Sequence, residues 1–160
     1  MLDWRLPSLS ETLKRRGFWI VARVCFKLYR WFPIFGALRA SIAVIHRDGR
    51  ILMIQRNDGR GVSLPGGIAG WKESEEVALW REVQEETGLR VTSAKVEMRY
   101  HSSAEVPCNI SVFCAEVDGE LKSSWEGSPC WMSVEELEPR LLKSQRQVLE
   151  VMRKIVASAN

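Results

Sequence analysis

A glycine-rich turn followed by an acidic helix constrains what this chain can fold into more than any other part of its sequence. The segment spans residues 67–89 and reads GIAGWKESEEVALWREVQEETGL. Successive helical residues are rotated by about 100°, which places Glu82, Glu85 and Glu86 within roughly 100° of one another. Three carboxylates at that spacing repel, and a bound cation is the least costly way to hold them together. Hard oxygen donors with no His or Cys nearby favour Mg²⁺ or Mn²⁺, so the segment predicts a metal-binding helix suited to phosphoryl or pyrophosphate chemistry.

The spacing within this segment resembles the Nudix box. Gly67 is followed after five residues by Glu73, and after seven more by the run REVQEETGL at residues 81–89, so all nine fixed positions of the box are present. The flanking pattern extends the resemblance to about residues 39–157. The resemblance implies an α/β fold, a Nudix-like α/β/α sandwich with a mixed central β-sheet. The alternative, a solvated acidic helix, explains neither the glycines nor Arg81.

The resemblance also implies roles for residues of the box. It implies a divalent-metal-dependent pyrophosphohydrolase that cleaves a nucleoside diphosphate linked to another moiety, with Mg²⁺ or Mn²⁺ as cofactor. The implied metal ligands are the Gly66 carbonyl group and the carboxylates of Glu82, Glu85 and Glu86. The implied catalytic residues are the same three glutamates and Arg81, and which glutamate acts as the base stays open. Gly67, Glu73 and Gly88 are interpreted as structural, although a ligand role for Glu73 also stays open.

Four residues outside the box are candidates for substrate binding. Arg56 and Arg60 precede the LPGG run at residues 64–67 and are candidates for phosphate contact, with a solvated loop charge as the equal alternative. Trp125 is a candidate for stacking on a base. Glu126 is a candidate for a further acidic residue recruited from a late loop, with an ordinary surface glutamate as the alternative.

Hydrophobic patterns predict the remaining elements. Strands are expected at residues 41–46, 50–55, 91–101, 108–117 and 130–132, and helices at residues 134–142 and 144–157. Pro139 is expected to interrupt the first of these helices or to start it afresh. The pair Asp48-Gly49 predicts a two-residue hairpin turn. The box helix is expected to begin after Ser74, to end at Gly88, and to bury Leu79 and Val83, with Trp80 as a further candidate for burial.

The first part of the chain has a different character. Residues 1–38 are predicted to form a basic amphipathic helical extension, and residues 39–160 the Nudix hydrolase domain. Arg23, Lys27 and Arg30 recur at helical spacing on an otherwise apolar segment. Three charges in so short a run argue against a membrane-spanning helix. Three interpretations stay open: packing on the adjoining domain, a homodimer contact, or docking at an anionic membrane surface.

Composition and charge fit this organisation. The 160 residues are 46% hydrophobic, which suffices for one sizeable core. The four cysteines have no CxxC spacing and indicate reduced thiols in a cytoplasmic protein, not a zinc site or a disulfide framework. Residues 1–40 carry eight lysines and arginines against two acidic residues, so the net charge of +3 conceals a net acidic remainder.

These observations lead to one main functional prediction and two alternatives. The main prediction is a hydrolase of a nucleoside triphosphate or a related nucleotide derivative, with a small-molecule partner and no nucleic acid. The first alternative is a membrane-peripheral hydrolase of a lipid-linked or isoprenoid diphosphate, which the N-terminal helix would permit. The second is a non-catalytic nucleotide-binding sensor, although a pure binder would not need all three glutamates.

Overall fold

The computed structural model of the chain describes residues 37–158. The helix predicted for the N-terminal extension falls on residues 1–36 and lies outside the described residues. In chain order the described elements are β1 (Leu38–Val44), β2 (His46–Arg47), β3 (Arg50–Arg56), β4 (Val62–Ser63), β5 (Gly66–Ile68), α1 (Glu75–Thr87), β6 (Arg90–Ser102), β7 (Cys108–Asp118), β8 (Gly127–Met132), α2 (Val134–Leu137), two 3₁₀ segments (Glu138–Arg140 and Lys143–Val148) and α3 (Leu149–Ser158).

The strands form two sheets. In the first, of order β5-β1-β7-β6, β1 pairs in parallel with β7, and the other pairs are antiparallel. In the second, β3 lies between β8 on one side and β2 and β4 on the other, and all these pairs are antiparallel. The α/β fold with a mixed sheet that the sequence predicts is therefore confirmed.

Apolar side chains form two separate cores with different helices. Leu79 and Val83 of α1 pack with Phe113 in one core. Leu137 of α2 and Met152 of α3 belong to the other. Burying the apolar stripe of each helix against strand residues removes apolar surface from water and fixes where α1 lies.

Local turn and capping signals place two elements as the sequence predicts. Asp48 and Gly49 have φ values of 50° and 71°, the left-handed pair that a type I′ hairpin turn requires, and they join β2 to β3. The Ser74 side chain accepts a hydrogen bond from the Val77 amide at the start of α1, and Gly88 ends it at φ 75°.

The C-terminal helices agree with the prediction in part. The helix expected at residues 134–142, with an interruption or a fresh start at Pro139, is α-helical over Val134–Leu137 and continues as a 3₁₀ segment that contains Pro139, which has no amide donor for an α-helical bond. The helix expected at residues 144–157 begins as a 3₁₀ turn at Lys143–Val148 and becomes α-helical from Leu149. Gln145 and Val148 are both buried there, and a three-residue spacing brings them to one side of a 3₁₀ turn.

Trp80 also differs from the expectation of burial. Its side chain is 51% exposed, whereas Leu79 and Val83 are completely buried. At 100° per residue Trp80 falls at the margin of the face that these two residues define. The short strands β4 and β5 were expected only as loop.

Candidate active site

Helix α1 presents its acidic residues beside β5, which lies at the edge of the first sheet. β5 pairs with β1, and Gly66 lies opposite Ile42. Gly66 has φ 139°, and a Cβ there would lie 2.2 Å from the Ser41 carbonyl oxygen. A Cβ on Gly67 would lie 2.5 Å from the Glu82 carboxyl carbon. Gly66 is thus required because the backbone of β5 lies directly against β1, whereas a side chain at position 67 would displace the Glu82 carboxylate.

Glu86 is the most enclosed acidic residue of the site. It is 4% exposed, and its Oε2 accepts a hydrogen bond of 2.8 Å from the Gly66 amide. Burial raises the pKa of Glu86 to about 8, and the nearby negative charges of Glu126 and Glu82 add to the increase. The hydrogen bond from the Gly66 amide and the positive charge of Arg56 lower the pKa of Glu86, but they offset only part of the increase.

Glu126 lies near Glu86, although it immediately precedes β8 of the second sheet. β8 begins at Gly127, opposite Arg56 at the end of β3, and the Asn57 amide donates a 2.9 Å bond to the Glu126 carbonyl oxygen. Burial raises the pKa of Glu126, while Arg56 and a hydrogen bond with the Glu86 side chain lower it. Glu126 is therefore a neighbour of Glu86 and not an isolated surface residue.

Arg81 connects the remaining acidic residues of the box. Its guanidinium donates to both carboxylate oxygens of Glu73 at 3.0 Å, to Glu82 at 2.8 Å, and to Glu85 at 3.4 Å. Glu73 also accepts a 2.7 Å bond from the Gly70 amide, and Arg81 holds its pKa down to about 2. These contacts are those of a loop anchor, since both Glu73 oxygens are occupied within the box.

Glu82 and Glu85 differ in their environments. Burial raises the pKa of Glu82, and the Arg81 pairing opposes that shift. The Glu85 side chain is 62% exposed, and among residues 37–158 its only hydrogen bond or ion pair is the 3.4 Å contact with Arg81. Within residues 37–158 no three acidic, His or Cys side chains are gathered closely enough to enclose an ion. Like charges repel, and Arg81 and the Gly66 amide hold the carboxylates at separate positions.

The donor chemistry nevertheless fits a hard divalent cation. Glu82, Glu86 and Glu126 supply carboxylate oxygens, and each has a pKa raised by burial and by the charge of at least one other carboxylate. Their negative charges are thus incompletely compensated by protein groups. Mg²⁺ and Mn²⁺ prefer carboxylate and carbonyl oxygens of this kind.

The other predicted substrate-binding residues lie at the end of β3, in the loop that follows it, and in the loop before β8. Burial lowers the pKa of Arg56, but Asp58 and the charges of Glu86 and Glu126 together raise it by more. Arg60 is more exposed and pairs with Asp58 at 2.7 Å. The Trp125 side chain is 43% exposed, and its carbonyl oxygen accepts a 3.0 Å bond from the Asn57 amide group.

Two residues of this region were not predicted from the sequence as functional. Asn57 and Asp58 appear there only as part of an Asn-Asp-Gly loop after a strand, which is typical of an ordinary turn. The relevant signal is long-range, because Asn57 contacts residues 125 and 126 across the β3–β8 pair.

None of the helices within residues 37–158 is long and apolar enough to cross a membrane.

The fold and the box identify the class of protein. Residues 37–152 match the family model of the NUDIX domain, and the chain belongs to the Nudix family of hydrolases, which act on pyrophosphate bonds. Members of this family generally use divalent metal ions and act on small-molecule, nucleotide-type substrates.

Two individual relatives have MutT in their names, and a third similar structure is of an E. coli protein. The chain is 31% identical over 110 residues to a MutT-like protein of Streptomyces ambofaciens, covering 68% of this chain and 71% of that protein. It is similar to the crystal structure of a MutT NUDIX hydrolase from Burkholderia pseudomallei, with a TM-score of 0.64, 27% identity, and coverage of 71% of this chain and 96% of that one. The solution structure of the E. coli ORF135 protein gives a TM-score of 0.66 and 25% identity, covering 77% and 93% of the respective chains.

Proposed function

We propose that this Nudix hydrolase uses Mg²⁺ or Mn²⁺ to cleave a nucleoside triphosphate or a related nucleotide derivative. The observation that carries the proposal is the buried Glu86 of α1, whose pKa is raised by burial and further by the nearby charges of Glu126, in the loop before β8, and of Glu82. Burial also raises the pKa of Glu82 and of Glu126, and the charge of Glu85 adds to the increase in both. The family acts on small-molecule, nucleotide-type substrates, which supports a nucleotide as the substrate of this chain.

The proposed ligands of the metal are the Gly66 carbonyl group, Glu82, Glu85 and Glu86. A bound divalent ion would supply charge stabilisation for the diphosphate and would lower the pKa of a bound water. Arg81 orients Glu82 through its 2.8 Å bond, and Glu82 is the proposed acceptor of the proton from the attacking water. Water attacks one phosphorus, and the anhydride P–O bond to the leaving phosphate group breaks.

The proposed substrate-binding residues form the other wall of the site. Arg56 supplies N–H donors for the diphosphate, because a guanidinium group matches the geometry of phosphate oxygens. Arg60 adds a second positive charge through the same loop. Trp125 is the proposed stacking surface for the base, and Glu126 bounds the site beside Glu86.

The experiment is a panel of nucleoside triphosphates, dinucleoside polyphosphates, nucleotide sugars and one isoprenoid diphosphate. Each is incubated with Mg²⁺, with Mn²⁺ and with EDTA, and released phosphate, pyrophosphate and nucleoside monophosphate are measured. We expect turnover of a nucleoside triphosphate with either metal and almost none in EDTA. Full turnover in the chelator would contradict the metal-dependent mechanism, and cleavage of the isoprenoid diphosphate alone would favour the lipid alternative.

A further inference from the structure

The loop between β3 and β4 is arranged around one buried carboxylate. The Asp58 side chain is only 3% exposed, whereas that of Arg60 beside it is 45% exposed. Asp58 accepts hydrogen bonds from Arg56 Nη2 at 2.8 Å and from Arg56 Nε at 3.1 and 3.3 Å to its two oxygens. It also accepts bonds from the Nε and the backbone amide of Arg60 at 2.7 and 3.1 Å. One carboxylate thus forms ion pairs with two guanidinium groups.

The ion pair with Asp58 determines which edge of the Arg56 guanidinium group stays available for a further hydrogen bond. Asp58 occupies the Nε–Nη2 edge, and within residues 37–158 Arg56 Nη1 has no hydrogen-bond partner. The Arg56 side chain is 13% exposed, so its orientation is restricted by its surroundings as well as by the ion pair. Bidentate pairs of this kind restrict a guanidinium group in direction as well as in position.

The neighbours of Arg56 explain why such a restraint matters. Glu86 and Glu126 are both close enough to act on it electrostatically. A guanidinium group without its own carboxylate partner would pair with one of these two acids. That pairing would neutralise a carboxylate needed at the metal site and would remove a donor from the substrate.

We propose that Asp58 is a positioning residue for diphosphate binding. It holds Arg56 with the Nη1 edge available to the diphosphate of the substrate and prevents the guanidinium group from pairing with Glu86 or Glu126. This inference rests on the proposed function, because it places a diphosphate beside the acidic cluster. Asp58 acts through Arg56 and does not itself contact the substrate.

The first test is Asp58→Asn in the full-length protein, which keeps the shape of the side chain and removes its charge. Two quantities are measured: KM for the nucleoside triphosphate that the wild type cleaves, and Kd for inorganic pyrophosphate by calorimetry with Mg²⁺. We expect both to rise about tenfold, which corresponds to one charge-assisted hydrogen bond, with a smaller change in kcat. The matched control is Asp118→Asn, which removes a 2.6 Å ion pair with Arg90 in the other sheet and should change neither quantity.

A double-mutant cycle separates positioning from mere stabilisation of the loop. In an Arg56→Gln background, Asp58→Asn should raise KM by no more than about twofold, because the side chain through which Asp58 acts is already gone. A purely structural Asp58 would produce the same fold change in both backgrounds, and that result would overturn the proposal. An unchanged KM and pyrophosphate Kd in Asp58→Asn would overturn it as well.

Arg56→Lys keeps the test decisive if Asp58→Asn fails to fold. Lysine retains the charge but cannot form the bidentate pair, so KM should again rise about tenfold. Wild-type KM in this variant would show that guanidinium orientation is irrelevant. Failure of the proposed function is recognised separately, as a wild-type protein that cleaves no nucleotide, and pyrophosphate binding then still tests Asp58 without turnover.

Discussion

At the scale of single residues, Glu86 combines features that are costly in a folded protein. It is almost fully buried, it has two acidic neighbours, and the Gly66 amide and Arg56 relieve its charge only in part. Buried carboxylates are normally paired or protonated, since an unpaired charge away from water is strongly unfavourable. The chain retains an acid where an apolar residue would be more stable, which is typical of a functional site.

The first prediction concerns Glu86→Gln. Glutamine keeps the size of the side chain and can still accept the Gly66 bond, but it removes one negative charge from the proposed metal site. We expect kcat to fall by about 10²–10⁴ on the substrate identified for the wild type, measured in steady-state assays with saturating metal.

The control for this prediction lies on the same helix. Glu76 is exposed on α1, so Glu76→Gln should leave kcat unchanged. Glu75 is a poorer control because its carboxylate pairs with Arg99 at 2.9 Å. A near-wild-type kcat in Glu86→Gln would remove Glu86 from the catalytic assignment.

The second prediction follows from the pKa of Glu86. Its folded-state pKa of about 8 lies above the ordinary value of 4.5, so the folded protein retains a proton that the unfolded chain releases. The free energy of unfolding of the metal-free protein should therefore decrease as pH rises from about 5 to 8.5. Glu73, whose pKa is lowered to about 2, acts in the opposite direction only at more acidic pH.

Urea unfolding in EDTA at several pH values measures this effect. The Glu86→Gln variant should lose most of the decrease, because its side chain does not titrate. The raised pKa values of Glu82 and Glu126 act in the same direction and leave a residual slope. A slope as steep in the variant as in the wild type would assign the effect to other groups.

At the scale of elements, the fit between β5 and α1 determines where Glu82 lies. Gly67 and Glu82 are in such close contact that a side chain at position 67 fits only if the Glu82 carboxylate moves. The third prediction is that Gly67→Ala displaces the Glu82 carboxylate and lowers kcat by about 10²-fold, since small misplacements of reacting groups have effects of that size.

The matched variant is Gly70→Ala in the same loop, where a Cβ would meet Glu73 at 3.3 Å instead of 2.5 Å. We expect a much smaller change in kcat there. Melting temperatures are measured for both variants, so that a loss of folding is not mistaken for a loss of catalysis. Equal kcat values in the two variants would contradict the role given to the Gly67–Glu82 contact.

The elements that the sequence predicted are those determined by local chemistry. The caps of α1 and the Asp48-Gly49 turn require particular residue types at single positions, so Ser74 and Gly88 are informative without any knowledge of the fold. The exposure of Trp80 and the 3₁₀ turn before α3 depend on what packs against them, and no local pattern contains that information.

The residues of the candidate site also divide into those whose proximity follows from local sequence and those brought together by long-range pairing. The box places Glu82, Glu85 and Glu86 on one helix, so their proximity follows from helical geometry alone. The approach of Glu126 depends on β3–β8 pairing and on the Asn57 bonds, which join residues nearly seventy positions apart. Sequence reasoning proposed Glu126 only by resemblance and overlooked Asn57 and Asp58.

At the scale of the whole molecule, the start of β1 decides where the domain can be separated from residues 1–36. The predicted boundary after residue 38 assigns Leu38 to the extension, whereas β1 begins at Leu38. The Leu38 amide donates to the Pro107 carbonyl oxygen, and Arg39 accepts from the Ala69 amide and donates to the Glu73 carbonyl oxygen. The two Arg39 bonds attach the box loop to the first strand, and the Leu38 bond attaches the segment before β7.

The fourth prediction compares two truncations. A chain beginning at Ala37 should keep the metal-dependent kcat of the full-length protein, because every proposed site residue and all of β1 remain. A chain beginning at Ala40 should have a lower melting temperature and lower activity, because it lacks the Leu38 and Arg39 bonds. Loss of activity in a folded Ala37 chain would assign part of the site to residues 1–36.

Light scattering and co-sedimentation with anionic vesicles are measured on the same Ala37 chain and on the full-length protein. A change in mass per particle would favour the homodimer interpretation of the extension, and a loss of vesicle binding would favour the membrane interpretation. Unchanged values in both assays would leave packing on the adjoining domain as the remaining interpretation.

The parallel pairing of β1 with β7 also has a consequence for how the protein is made. Leu38 pairs with Cys108 and Val44 with Cys114, so every contact of this ladder joins residues 70 positions apart. β5 then pairs with the other edge of β1. Contacts between distant parts of a chain form slowly, and β1 has no partner on this side until β7 has been synthesised. During translation the residues of the acidic helix therefore leave the ribosome before the sheet that supports the helix is complete, so the arrangement of its carboxylates against β5 forms late.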